Sequence, residues 1–342
     1  MTTMTQRLRY RELGLTLGNL PLGPNNSITD IPEVSVGHVT LISGEGSLVI
    51  GNGPVRTGVT AILPHQDNIF ERKVTGAAHV INGFGKSVGF PQVNELGVIE
   101  SPIMLTNTLN TWRVADATID YLTETNPGIY SFNPVVGECN DSYLNDMVGR
   151  HVAREHVFSA IREATSPNID EGNVGAGTGM TGWGWKGGIG TSSRLITVDA
   201  GSYVAGALVL VNTGVPSELR VGTKHIGKTN APPKTPPAPG SIMMVVGTNC
   251  PVDSRQLLRV AKRAVFGLAR VGGTAEHGSG DFVIAFSNGS VSEPVKEDSM
   301  TALFLGAIEA VEEAIVNALL KAETMIGRDG NTRTALPTDL VR

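Results

Sequence analysis

"KTNAPPKTPPAPGSIMMVV" (228–246) packs five prolines into residues 232–239, passes through one glycine and one serine, and turns directly into an apolar run. Proline fixes φ and donates no backbone hydrogen bond, so the first half reads as an extended strap outside any sheet. The second half, Ser241-Ile-Met-Met-Val-Val, is apolar on both faces, as a strand with a neighbour on each side would be. The residues that follow read strand–helix–strand–helix over about 100 residues, too little to bury a core alone. That central strand is therefore expected to sit in a sheet shared with the preceding chain. Two readings of Gly240–Ser241 stand side by side. One is a plain linker. The other is a bond that the chain cuts in itself, leaving a larger chain 1–240 and a smaller chain 241–342 within one domain.

The self-cleaving reading has a chemical basis. A serine hydroxyl is a weak nucleophile until a base lies beside it. A cut before Ser241 frees an α-amine, of unperturbed pKa about 8, within reach of the same residue's hydroxyl. Gly240 has no Cβ and leaves room for attack on its carbonyl.

The rest of the composition narrows the function classes. The chain has 342 residues, 40% hydrophobic, with 42 glycines and only 5% aromatic residues, so small and aliphatic side chains must fill its core. A formal net charge of −5 provides no footprint for nucleic acid or an anionic membrane. The two cysteines, Cys139 and Cys250, have no CxxC or Cys/His metal spacing. No apolar run approaches a membrane span and the N-terminus lacks a signal-peptide apolar region, so the expected location is cytoplasmic.

Strands are expected at 28–42, 58–64, 76–83, within 93–108, at 134–139, as two hairpin strands over 195–215, at 241–248 and at 282–288. Helices are expected at 111–124, 143–163, from an Asp253 cap to about Val271, and at 299–325. The glycine-dense segment 172–194 contains "GAGTGM" (175–180), which resembles GxGxxG. Its last position is Met180 and no helix follows, so it reads as a loop packed close to another backbone and not as a dinucleotide site. The seven histidines are scattered without metal-ligand spacing, and His38 reads as a structural hydrogen-bonder.

Taken together and in order, "NNSITDIPEVSVGHVTL", "GVTAILP", "ESPIMLTNTLN", "PVVGECND", "GAGTGM…KGGIGTSSR", "ALVLVNTGV", "PAPGSIMMVVGTNCP" and "GGTAEHGSGDFVIAFSN" resemble the DmpA-type aminopeptidase family, which includes the β-peptidyl aminopeptidases. The resemblance implies an α/β, single-domain α-β-β-α sandwich of the DmpA/ornithine acetyltransferase type, resembling N-terminal-nucleophile hydrolases with a different connectivity. It implies self-cleavage at Gly240–Ser241, Ser241 as nucleophile, and a homo-tetramer of cleaved protomers. Asn212 matches the oxyanion donor. Ser279 would hydrogen-bond the terminal amine or the Ser241 hydroxyl, and Asp281 would fix that network. Asp281 stands where the family usually has Glu, one methylene longer. Asn140 stands where family members commonly have an oxyanion tyrosine, with Tyr143 as the fallback, and Glu138 is a candidate for the substrate's ammonium.

The expected activity is that of a serine aminopeptidase acting on small peptides, amides or esters with a free amino terminus, β-amino-acid and D-alanyl compounds among them. No metal or cofactor is implied. Two alternatives remain: an acyltransferase of the ornithine acetyltransferase type, which uses threonine, and an uncleaved, non-enzymatic relative.

Overall fold

The computed structural model describes residues 7–233, 240–290 and 294–342. Most of the proline strap, 234–239, lies outside the described residues. The strands and helices run β1 (Ser35–Ser43), β2 (Val55–Leu63), β3 (Val74–Gly83), α1 (Phe90–Leu96), β4 (Val98–Ile99), β5 (Ile103–Asn107), α2 (Thr111–Thr125), β6 (Val135–Cys139) and α3 (Arg154–Arg162). They continue with the short β7 (Thr181–Gly182) and β8 (Trp185–Lys186), then β9 (Gly188–Val198), β10 (Gly201–Asn212), α4 (Ile226–Thr229), β11 (Ser241–Thr248), α5 (Ser254–Ala261), α6 (Ala264–Arg270), β12 (Gly280–Ser287) and α7 (Met300–Lys321). A final short hairpin is β13 (Met325–Ile326) and β14 (Thr332–Arg333).

Two sheets carry the architecture, one ordered β1-β2-β5-β6 and the other β4-β3-β12-β11-β10-β9. Every residue of β11 is buried, with antiparallel β10 on one side and parallel β12 on the other. The strand "SIMMVV" is thus central, as its two apolar faces require. Alternation along it sends Met243 and Val245 between the sheets, against Ile62, Ile103 and Leu105, while Ile242, Met244 and Val246 face the helices α5, α6 and α7. The far face of the four-stranded sheet packs under α2 and α3 through Val59, Met104, Val114 and Val157. The layers are therefore helix, sheet, sheet, helix. Among the described residues no helix is long and apolar enough to cross a membrane.

Several expected elements differ. Residues 28–30 form a 3-10 turn, because Ser27 accepts from the Thr29 amide and Asp30 accepts from the Ser27 amide, and the extended run begins only at Ser35. The strand expected at the start of 93–108 is the end of α1, closed by the left-handed Gly97 donating to Val93 O, before β4 and β5. Of the helix expected over 143–163 only Arg154–Arg162 forms. Upstream, Asp146 instead accepts from the backbone amides of Gly51 and Gly149 and holds the loop to the β1–β2 connection. Asp253 caps as expected, accepting from Gln256 N at 2.7 Å, but the helix breaks before Ala264 so that α6 lies against α7. The glycine-dense segment is a close-packed backbone, since a Cβ at Gly179 would lie 2.2 Å from Arg56 O.

One of the close contacts between layers is β9 on α7. A Cβ at Gly190 would come 2.1 Å from Ala314 O and 2.5 Å from Ala318 N. Beside it, the fully buried Arg194 reaches Glu309 at 3.1 Å and Glu313 at 2.7 Å on the same helix. Gly190→Ala must push α7 off the sheet and should cost about 1–3 kcal/mol or more. A urea midpoint equal to that of the parent protein would contradict this packing.

Candidate active site

The site is assembled by strand register. Asn212, the last residue of β10, lies directly opposite Ser241, the first residue of β11, and Ser241 lies beside Gly280, the first of β12. Directly opposed residues share a face with Cβ atoms about 4.5–5.5 Å apart, so Asn212 and Ser241 both point between the sheets. Thr213, Ser279 and Asp281 stand one residue out of phase and belong to the helix side. The ends of three neighbouring strands thus place groups on both faces of one buried point.

Ser241 is 4% exposed, and its hydroxyl donates to Gly240 O at 2.6 Å. Gly280 N also donates to that carbonyl, at 3.3 Å. The hydroxyl and a backbone amide therefore converge on the carbonyl of the peptide bond preceding Ser241. Asn212 is buried and its Oδ1 accepts from Thr181 N at 2.8 Å, which makes Nδ2 the donor end of the amide. Among the described residues, its oxygen is engaged by Thr181 of another segment and not by its own turn. Thr181 in turn receives a hydrogen bond from Arg333 Nε at 3.2 Å, and the Arg333 guanidinium lies 3.7 Å over the Tyr143 ring.

On the helix side, Ser279 Oγ donates to Asp281 Oδ1 at 2.7 Å and lies 3.4 Å from Thr213 Oγ1. Asn82 supports the turn from below, donating to the carbonyls of Glu276, at 2.8 Å, and of Ser279. Asp281 is fully buried, and its Oδ2 has no hydrogen-bond partner among the described residues. Burial pushes the Asp281 carboxyl up to about 6, against the opposing effect of the Ser279 hydrogen bond and with the help of Glu276.

Glu138 is not a surface carboxylate. It is buried at the end of β6, accepting from Lys86 N at 2.8 Å and from the Thr108 hydroxyl, and burial raises its pKa. The Lys86 loop brings it close to the site: a Cβ at Gly85 would sit 3.1 Å from Glu138 Oε1, and one at Gly280 would sit 3.1 Å from Gly85 Cα. Asn140 accepts from Ser142 N at 2.9 Å and so closes its own turn. No hydrogen bond joins Asn140 or Tyr143 to Ser241, Ser279 or Asp281 among the described residues; Tyr143 connects to the site only through Arg333 and Thr181.

Register and contact bring together Gly240, Ser241, Asn212, Ser279 and Asp281, with Glu138 one loop away. Thr213, Thr181 and Arg333 were not singled out from the sequence. Thr213 alone carried a signal, its place next to Asn212. Among the described residues no group of three or more His, Cys, Asp or Glu side chains is placed to hold a metal ion.

The comparisons with known proteins converge. The model of peptidase family S58 matches residues 26–333. A protein named beta-peptidyl aminopeptidase BapA, from Sphingosinicella microcystinivorans, is 40% identical across 96% of this chain and 89% of its own length. The crystal structure of the PH0078 protein from Pyrococcus horikoshii superimposes with a TM-score of 0.91 at 48% identity, covering 97% of each chain. The l-aminopeptidase d-ala-esterase/amidase from Ochrobactrum anthropi superimposes with a TM-score of 0.88 at 32% identity, over 98% of this chain and 97% of the other. That protein is described as a prototype for the serine aminopeptidases and a variant among the Ntn hydrolase fold. The mixed α/β sandwich is the same fold.

The raised carboxyl has a measurable consequence. Its folded pKa lies above its unfolded value, so its contribution to stability is fully present below about pH 4 and is lost as pH rises through about 6. Asp281→Asn, which keeps the acceptor for Ser279, should therefore be more stable than the parent at pH 8, on the order of 2 kcal/mol. The gap should close toward pH 4 in denaturant titrations. A gap independent of pH would contradict a desolvated carboxyl.

Proposed function

The chain belongs to peptidase family S58, a family of serine aminopeptidases, and from that premise we propose that it cuts itself at Gly240–Ser241 and then removes the N-terminal residue from short peptides and amides, β-aminoacyl substrates foremost. The observation that carries the reading is the convergence of the Ser241 hydroxyl, at 2.6 Å, and the Gly280 amide, at 3.3 Å, on the Gly240 carbonyl. Ser241 Oγ attacks the Gly240 carbonyl carbon and the peptide C–N bond breaks, passing the acyl group from nitrogen to oxygen. Water hydrolyses the ester. The products are chain 1–240, ending in the Gly240 carboxylate, and chain 241–342, beginning with the free amine of Ser241.

That amine emerges on the side where Ser279 and Asp281 stand, while the hydroxyl remains on the side of Asn212. In each turnover the amine takes the hydroxyl proton as Oγ adds to the substrate carbonyl. Asn212 Nδ2 and the Gly280 amide donate to the oxyanion. The amine returns the proton to the leaving nitrogen, and water then releases the acyl residue. Ser279, oriented by its bond to Asp281, holds the amine. Glu138, buried beside the Lys86 loop, takes the substrate's ammonium. The β-aminoacyl preference is supported by the relative named as a beta-peptidyl aminopeptidase at 40% identity. The cleaved protomers assembling as a homo-tetramer belongs to the same proposal.

Intact mass under denaturing conditions tests the first step. The 35.9 kDa chain should appear as two species of about 25 and about 11 kDa, the smaller beginning at Ser241. Ser241→Ala should remain one chain and hydrolyse nothing. A single species from the wild type, or steady hydrolysis by the Ser241→Ala protein, overturns the reading. Asn212→Ala should lower kcat by about 10²–10³-fold on a β-alanyl amide, whereas a kcat within a factor of two of the parent would remove Asn212 from the oxyanion site.

A further inference from the structure

A buried carboxylate serves an incoming ammonium best when it is already charged and already held in place. Glu138 is 2% exposed, and burial favours its neutral form. Two donors work against that. Lys86 N donates to Oε1 at 2.8 Å and the Thr108 hydroxyl donates to Oε2, so each oxygen is held by a different segment. The hydroxyl is the largest influence drawing the carboxyl back down, ahead of the Lys86 amide and the Lys86 charge. The Lys86 ammonium itself lies 5.8 Å over the ring of Phe84 on its own loop. The neighbouring titratable groups add no positive charge. The Cys139 thiol is pushed well above its ordinary value by burial and then by the charges of Glu138, Asp281 and Asp141. Burial pushes the Asp141 and Asp281 carboxyls up to about 6.

Thr108 is itself held firmly. It is buried and directly follows β5, whose last residues Thr106 and Asn107 pair with Glu138 and Cys139 of β6. The turn from there into α2 is closed by two bonds. Asn110 N donates to Asn107 Oδ1 at 3.0 Å, and the Thr111 hydroxyl donates to Thr108 O at 3.0 Å. A threonine hydroxyl has a single proton to give, and here it goes to Glu138. A carboxylate offers about four lone-pair sites, so after the bonds from Thr108 and Lys86 it still has capacity for an ammonium.

We propose that Thr108 is a positioning residue for substrate recognition: its hydroxyl, together with the Lys86 amide, fixes the Glu138 carboxylate in its charged form for the substrate's ammonium. This rests on the reading of Glu138 as the receiver of that ammonium. Thr108→Val keeps the volume and removes the donor. The carboxyl then titrates at a higher pH, and a neutral Glu138 no longer attracts the ammonium. Recognition of the amino group is therefore lost earlier as pH falls.

The experiment uses the full chain, with processing checked by mass, and the p-nitrophenyl esters of β-alanine and propionic acid, which differ only in the ammonium. The ratio of their kcat/KM values is followed from about pH 4 to about pH 8, because kcat/KM reports the free enzyme's groups. The ratio cancels what both esters use, the Ser241 amine and Asp281 included. In the wild type it should fall as pH drops through the titration of Glu138. In Thr108→Val the midpoint of that fall should move up by about one to two pH units. Thr108→Ala should move it likewise and serves if Thr108→Val does not fold, whereas Thr108→Ser should stay with the wild type. An unmoved midpoint in the variants lacking the hydroxyl overturns the proposal. So does an equal loss on both esters at every pH, the mark of a merely structural role at the start of α2, or a Thr108→Ser midpoint as high as that of Thr108→Val. Glu138→Gln should lower the ratio by about tenfold or more at the upper end of the range. A Glu138→Gln ratio equal to that of the wild type instead removes Glu138 from ammonium recognition, and the underlying reading falls with it.

Discussion

The ladder that holds β11 between β10 and β12 is the constraint on which the rest depends. It sets Asn212 opposite Ser241 and Gly280 beside it, with no freedom to slip, because a one-residue shift would turn Met243 and Val245 away from the second sheet and drive Ile242 and Met244 into it. The site is a by-product of that register. Residues far apart in sequence, at 82, 138, 181, 212, 241 and 280, meet because strand ends meet. The hydrophobic layers on both faces fix the geometry far more firmly than the few hydrogen bonds at the site could.

Register also separates tasks. On the face between the sheets lie the hydroxyl of Ser241 and the amide of Asn212; on the helix face lie Thr213, Ser279 and Asp281. A residue at the start of a strand points its side chain one way while its backbone nitrogen is approached by groups of the other phase. A single residue can thus present a nucleophile to one environment and an amine to another. The cost is a carboxyl buried well enough to be raised to about 6, a local penalty that the surrounding core offsets.

What the sequence disclosed follows from where its signals are local. "SIMMVV" announced a strand buried on both faces, and that one inference placed the C-terminal third inside the main sheet. Asp253 announced its cap. The failures came where distant partners decide. Residues 143–153 have helical composition, yet Asp146 is claimed by the amides of Gly51 and Gly149, and Arg150 takes φ +52°. Ile28 and Thr29 are β-branched, yet Ser27 and Asp30 form a reciprocal capping pair and hold a turn. At the site, Asn212, Ser279 and Asp281 were legible only by family likeness. Thr181 and Arg333 were not legible at all, because nothing in their neighbourhoods says that Thr181 reaches Asn212 or that Arg333, near the C-terminus, reaches Thr181.

The central place of β11 has one more consequence. Chain ends ordinarily fray, and a nucleophile at a terminus would spend much of its time misdirected. Here seven further buried residues anchor the strand on both sides, so opening the peptide bond before Ser241 would free only what precedes it. The amides of β11 should belong to the slowest-exchanging set of the molecule, released by global unfolding and not by local opening. A terminus made in this way inherits the rigidity of a core, and its ordering entropy has been met before the terminus exists.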